Sequence, residues 1–310
     1  MRKALAGWFF QPISPYPLAV FRILFGLCVC ATLLLLHGDW LAWFGVHGWV
    51  SMNTIARAES GFRLSLFALL PREDGWITAL FWVLLTASLT LTAGLGTRLS
   101  SIVVYLGLNS LHQRNPILFH GGDTLLRAAG FLLIFAPAGA ALSLDRVIRR
   151  RRGALADERP RRVSPWAQRL IQYQMAMVYL ASFWWKMQGA PWRNGTALYY
   201  VLHVRPLDRF PLPGLLYRPW ALAAGGWLVM AFELLFPLLV WFRPCRRPLL
   251  AAGVLFHLCL EYALNIPMFQ WDMVCVYPLF LDGDALERFA EGLWGRLRPR
   301  DGAAGVARRA

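Results

Sequence analysis

The sequence predicts an all-α fold, a polytopic transmembrane helix bundle of about eight membrane helices, and three observations carry that expectation. Hydrophobic residues make up 57% of the chain and charged residues only 16%, a balance far more apolar than that of a soluble domain. Several separate stretches approach or exceed the roughly 17–25 apolar residues that an α-helix needs to cross the hydrocarbon layer. The basic residues gather in the connections between those stretches, where positive charge sets membrane orientation.

Candidate helices fall at 18–37, 76–97, 99–114, 123–142, 166–188, 220–242, 248–264 and 267–282. The start, "MRKALAGWFF", has the positive end of a secretory signal. The apolar segment after it is long and lacks an A-x-A cleavage site, so it is expected to stay as the first membrane helix. The last candidate starts near Pro267, contains Asp272 and is short. It is expected to be re-entrant or broken and packed inside the bundle, as irregular backbone in a membrane must be. Two long connections, 38–75 and 189–219, are expected to fold onto the outer side of the bundle. The first mixes aromatic and polar residues as interfacial helices do. The second, with "NGTALYYVLHV" before "RPLDRFPLPGLLYRP", reads as a short helix and an extended cover. The basic linker 144–165 divides the helices into two groups of four within one domain, 1–283, which a basic tail, 284–310, follows.

Placing the N-terminus inside puts 20 lysines and arginines in the inner connections and 8 in the outer ones. That asymmetry predicts a multi-pass cell inner membrane protein with both termini cytoplasmic. Of the 32 basic residues only Lys3 and Lys186 are lysines, a usage that suits a GC-rich bacterial genome. A formal net charge of +15 would suit nucleic acid, but the arginines sit where orientation uses them. The lipid bilayer is therefore the expected partner and nucleic acid is not. Fifteen tryptophans suit interfacial belts. Cys28, Cys30, Cys245, Cys259 and Cys275 form no C-x-x-C pair and mostly lie in apolar runs, so no disulfide framework is expected. Asn194-Gly195-Thr196 matches a glycosylation acceptor, but modification is not expected in a bacterial chain.

Ionisable groups inside a membrane span are costly and face a partner, a cavity or water. The candidates are Arg22, Asp123, Arg127, Lys186, Glu233, His257, Glu261 and Asp272. Arg22, near a helix start, is expected to snorkel toward the interface, and Glu233 to pair with a cation on a neighbouring helix. His257 and Glu261, four apart, share a helical face with a spacing compatible with metal binding. Two ligands do not make a site, and without a second cluster no metal is expected. In "HQRNPILFHGGDTLLR" the glycines permit a tight turn, and Asp123 can cap the next helix while reaching Arg127 one turn later. The alternative is that the paired glycines let a ligand approach the backbone beside His120. Lys186 follows "FWW" near the outer end of its helix. Desolvation there disfavours the ammonium, and a neutral amine can accept a proton, which arginine cannot do near neutral pH. The competing reading is an interfacial anchor that snorkels outward.

Several stretches, in order, resemble a known family: "LAVFRILFG", "RNPILFHGGDTLLRAAGFLLIF", "YQMAMVYLASFWWKMQGAPWRNGTALYYVL" and "FELLFPLLVWF", the last followed by the helix of His257. Together they resemble the HTTM (horizontally transferred transmembrane) domain, the membrane domain shared with vitamin K-dependent γ-carboxylases, over roughly residues 10 to 283. The resemblance implies a membrane-embedded site that oxidises reduced vitamin K, such as menaquinol, or another quinol with oxygen, and couples this to carboxylation with CO2. The family's essential lysine lies shortly before a tryptophan and a glycine three residues beyond it, which matches Lys186, Trp192 and Gly195. That match implies Lys186 as the base, and gives His120 a polar or acid/base role.

Around that base the expected ligand-binding residues are Asp123, Arg127, Trp184, Trp185, Trp192 and His257. Because the chain ends soon after its last apolar segment, whereas the γ-carboxylases carry a large extramembrane portion, peptide carboxylation is not the leading expectation. A separate partner subunit or a peptide substrate stays open. A quinol-linked enzyme heads the function classes. The rivals are a non-catalytic factor for maturation or export of a secreted peptide, and a transporter.

Overall fold

The computed structural model describes residues 2–51, 54–55, 57, 64–153 and 160–297. Helices α1 (Arg2–Phe10) and α2 (Tyr16–Leu36) lead to a short α3 (Trp40–Phe44), and α4 (Asp74–Ala93) and α5 (Thr97–Arg114) form a hairpin. Next come α6 (Gly121–Phe135), α7 (Leu144–Arg151) and α8 (Trp166–Gln188). The connection after α8 carries two single turns, α9 (Ala190–Arg193) and α10 (Ala197–Val201). The chain closes with α11 (Pro219–Leu239), α12 (Arg243–Ala263), the short α13 (Phe269–Val274) and α14 (Gly283–Leu297). Among the described residues there is no strand, only isolated bridges such as Ile13 with Val163.

The expected helices recur with shifted ends, each for a local reason. Pro17 and Pro219 stand in the first turns of α2 and α11, where a missing N–H costs nothing. Gly94, at φ 71°, closes α4 in the left-handed conformation. The candidate at 123–142 stops at Phe135, because Pro137 follows and cannot continue a helix. The candidate at 267–282 is broken into α13 and a 3-10 turn, Tyr277–Phe280. Part of the expected linker and tail is helical, as α7 and α14.

The expectation of eight crossings is met only in part. Among the described residues three helices, α2, α4 and α11, are long and apolar enough to cross a membrane. The others fall short for visible reasons: α6 has 15 residues and α13 has 6, while α8 carries four glutamines and α12 opens with Arg243, Arg246 and Arg247.

Packing runs as a closed circuit, α2 on α4, α4 on α5, α5 on α6, α6 on α8, α8 on α11, α11 on α12 and α12 on α13, which returns to α6 and α2. Phe21, Phe25, Leu33, Phe81, Leu91 and Leu133 fill its centre with almost no exposed surface. In lipid, close packing holds helices together more than water exclusion does, and Gly26 shows how. A Cβ there would fall against the Thr92 hydroxyl, 3.0 Å from the Thr92 nitrogen and 3.1 Å from the Ser88 carbonyl. Only glycine lets α2 and α4 approach this closely.

Arg22 does not snorkel as expected. It is 0% exposed, and its guanidinium donates to the carbonyls of Ala138 (2.8 Å), Ala141 (3.3 Å), Leu142 (2.5 Å) and Thr92 (3.4 Å). The early end of α6 leaves the Ala138, Ala141 and Leu142 carbonyls without helical partners, as the end of α4 leaves that of Thr92, and the five-donor fork of arginine satisfies several at once. Beside this knot Asp145, on the polar helix α7, accepts from the N–H groups of Gly96 (2.7 Å) and Thr97 (2.9 Å) and from the Thr97 hydroxyl (2.7 Å). Partial burial pushes the Asp145 carboxyl up, but these donors and the nearby Arg22 charge outweigh it and hold the group below its ordinary range.

Candidate intramembrane site

Helix α8 presents Tyr179, Ser182 and Lys186 along its face toward α11, at helical spacing. The Lys186 ammonium donates to the Ser182 hydroxyl (2.8 Å) and to Oε1 of Glu233, on α11. Ser182 donates to the same Oε1 (2.9 Å). The side chains of Lys186 and Glu233 are 21% and 5% exposed. The indole of Trp192 lies 5.1 Å from the lysine nitrogen, within cation–π range. Glu233 Oε2 is buried and has no hydrogen-bond partner among the described residues. A carboxylate well inside a helix of spanning length requires a cation, and Lys186 supplies it. The sequence named both residues but not each other as partners.

Below this pair a second polar group is built around Tyr179, which is 2% exposed. Its hydroxyl lies 2.7 Å from the Tyr277 hydroxyl and 2.7 Å from His257 Nε2, and His257 Nδ1 lies 2.6 Å from Gln270 Oε1. With that amide oxygen facing the ring, Nδ1 carries the hydrogen, and Nε2 accepts from Tyr179. His257, 1% exposed, has both ring nitrogens occupied by protein groups. Glu261, its expected neighbour on one face, instead pairs with Arg209 and accepts from Trp271 Nε1 (3.2 Å).

The third region is the start of α6. His120 caps the helix: its Nδ1 accepts from the Gly122 and Asp123 N–H groups (3.1 and 3.4 Å), while Asp123 Oδ2 accepts from the His120 N–H (3.0 Å). The expected Asp123–Arg127 pair does not form, since Asp123 turns back to the cap. Arg127 instead lines a cavity of about 520 Å³ between α5, α6 and α8, with Tyr105, Asn109, Gln113 and Gln174 among its neighbours. Gly122 does not open a path for a ligand. A Cβ there would meet Asp272 Oδ2 at 3.1 Å, so the glycine admits the Asp272 side chain of α13.

Trp184 and Trp185 are 61% and 73% exposed, and Trp184 lies on the side of α8 away from Ser182 and Lys186. Exposed aromatic side chains of this kind suit a membrane-facing surface, while Trp192 alone of the three stands by the amine. Ser182 and Tyr179 were not singled out in the sequence, although positions four and seven before Lys186 mark the same helical face. Gln270 and Tyr277 carry no such signal, because they reach the site from a broken segment far along the chain.

An all-helical bundle with long apolar helices and a lysine–glutamate pair between two of them defines a membrane protein with a polar interior site. More particularly, the chain belongs to the HTTM family: the HTTM domain matches residues 10–284. That family makes it a membrane protein related to the carboxylases. No curated protein and no solved structure matches it.

Proposed function

We propose that the protein is a bacterial inner-membrane enzyme in which the Lys186–Glu233 pair serves as the base toward a lipid-soluble quinol. The observation that carries this reading is the pair itself, buried between α8 and α11 with Glu233 Oε2 unpartnered. An acceptor without a donor, next to an amine, suits a ligand hydroxyl. A quinol would supply that hydroxyl and the electrons for reaction with oxygen, with CO2 consumed if the outcome is carboxylation. On the protein side, Oε2 would accept the hydroxyl proton, and the Lys186 ammonium, held in place by Ser182, would stabilise the oxyanion left on the ligand. Trp192 would cover the amine and keep water from it. His120 suits this role less, because its Nδ1 serves the helix cap and its Nε2 donates to the Pro267 carbonyl (2.8 Å).

The same proposal includes eight membrane passages with both termini cytoplasmic, for which the 20-to-8 distribution of basic residues speaks. One observation favours a second reading, a non-catalytic maturation or export factor for a secreted peptide. The cavity of about 520 Å³, and another of about 310 Å³ beside α1, α8 and α12, are lined by neither Lys186 nor Glu233.

Mass spectrometry of lipids retained by gently purified protein, together with quinol turnover, separates the two readings. The native protein is expected to retain a quinone-class lipid, and Lys186→Ala and Lys186→Arg to lose turnover while still folding. No quinone-class lipid in the native protein, with unchanged cellular function in Lys186→Arg, would overturn the enzyme.

A further inference from the structure

We propose that His120, Asp123 and Asp272 form a binding site for one divalent first-row cation, such as Zn²⁺ or Mn²⁺, where α13 meets the N-terminus of α6. One ligand atom from each lies within 4.8 Å of the other two; ligands of one ion at about 2.0–2.2 Å stand no more than about 4.4 Å apart, so the three side chains would draw in slightly on binding.

The observation that points to a ligand is Asp272. It is 0% exposed, and neither of its carboxylate oxygens has a hydrogen-bond partner among the described residues. The Cys28 thiol neighbours the carboxyl without reaching it in hydrogen-bonding geometry. A buried carboxyl without partners is costly in either protonation state, because the ion lacks a countercharge and the acid lacks an acceptor for its hydrogen. The Asp123 carboxyl, 9% exposed, stands next to it. The N-terminus of α6 offers only about half a positive charge, against two carboxylates. A divalent cation balances both.

The imidazole is set up for the same task. Its Nε2 lies 2.8 Å from the Pro267 carbonyl, which only accepts, so Nε2 carries the hydrogen and Nδ1 keeps its lone pair. This is the outer-shell contact that fixes the tautomer of a ligating histidine. That lone pair lies 3.2 Å from Asp123 Oδ2, two acceptors facing each other, and it accepts from the Gly122 and Asp123 N–H groups at 3.1 and 3.4 Å, cap bonds that a bound cation would replace. A cation between Nδ1 and the carboxylates removes the repulsion. One imidazole with two carboxylates suits zinc or manganese better than a soft ion, which would call for sulfur. Gly122 eases the approach of Asp272, since a Cβ there would stand 3.1 Å from Asp272 Oδ2 and 3.2 Å from its Cβ and crowd the carboxyl.

The test measures metal content of the native protein in detergent by elemental mass spectrometry. It then follows thermal unfolding after EDTA treatment and on titration with ZnCl2 or MnCl2. About one ion per chain is expected, with a lower melting point after chelation that either metal restores. Asp272→Asn is expected to weaken binding at least about tenfold, the loss that even an outer-shell change produces. Lys186→Arg should bind metal as the native protein does, so failure here is distinct from failure of the quinol reading. If the native protein holds no metal and its melting point ignores both chelator and added ion, Asp272 is a neutral acid and the proposal falls. The native chelation experiment decides even if Asp272→Asn does not fold.

Discussion

Replacing Glu233 by glutamine keeps its shape but removes the charge facing Lys186. Removing one partner of a buried ion pair costs about 3–5 kcal/mol. Lys186 is 21% exposed, so water recovers part of its solvation, and Glu233→Gln should cost about 2–4 kcal/mol on the same basis. The reverse change, Lys186→Met, strands the carboxylate, which at 5% exposure has less access to water. It should cost more, near the top of the range, about 4–5 kcal/mol. The double variant loses the attraction together with both desolvation costs, and its stability should return to within about 1 kcal/mol of native. Unfolding of the four proteins by SDS titration in mixed micelles gives the cycle directly. A coupling energy below about 0.5 kcal/mol, the scatter of independent sites, would refute the reasoning, as would Glu233→Gln costing more than Lys186→Met.

Asp145 gives a pH test with a definite sign. Its folded carboxyl lies below its ordinary range, so its contribution is complete above the unfolded value of about 3.9 and is lost as pH falls through the folded one. Asp145→Asn should cost about 1–3 kcal/mol at neutral pH and should flatten the acid limb of a stability–pH curve. Arg22→Lys keeps the charge but cannot reach four carbonyls, and should lower stability by about 2–4 kcal/mol in the same micelle assay. Gly26→Ala should cost about 1–3 kcal/mol by forcing α2 from α4, and an unchanged melting point would show that the close approach is not required.

The helices were legible because apolar runs of spanning length have few other solutions in a lipid environment. Their ends were legible where proline punctuates them, as at Pro219, and were missed at Gly94, which the candidate 76–97 ran through, and at Pro137, which cuts α6 short. The need for partners was also legible: Glu233 had to find a cation. Which cation was not, because Lys186 is 47 residues away and no helical periodicity connects them. Arg22 shows the opposite failure. Snorkelling is the cheap solution for an isolated helix, but the unsatisfied carbonyls after α6 exist only once the bundle has formed. The same limit hid Asp272, whose meeting with His120 and Asp123 depends on where a broken segment lands.

That segment, α13, is six residues long and is entered through Met268 at φ 64°, a left-handed backbone that costs a residue with a side chain about 1–2 kcal/mol. Its Gln270 holds the ring of His257, and its Asp272 reaches the start of α6. The two polar clusters therefore share one mechanical support. Any turn or slide of those six residues that loosens one cluster must disturb the other, so a change at either end would be felt at both without a long relay through the bundle.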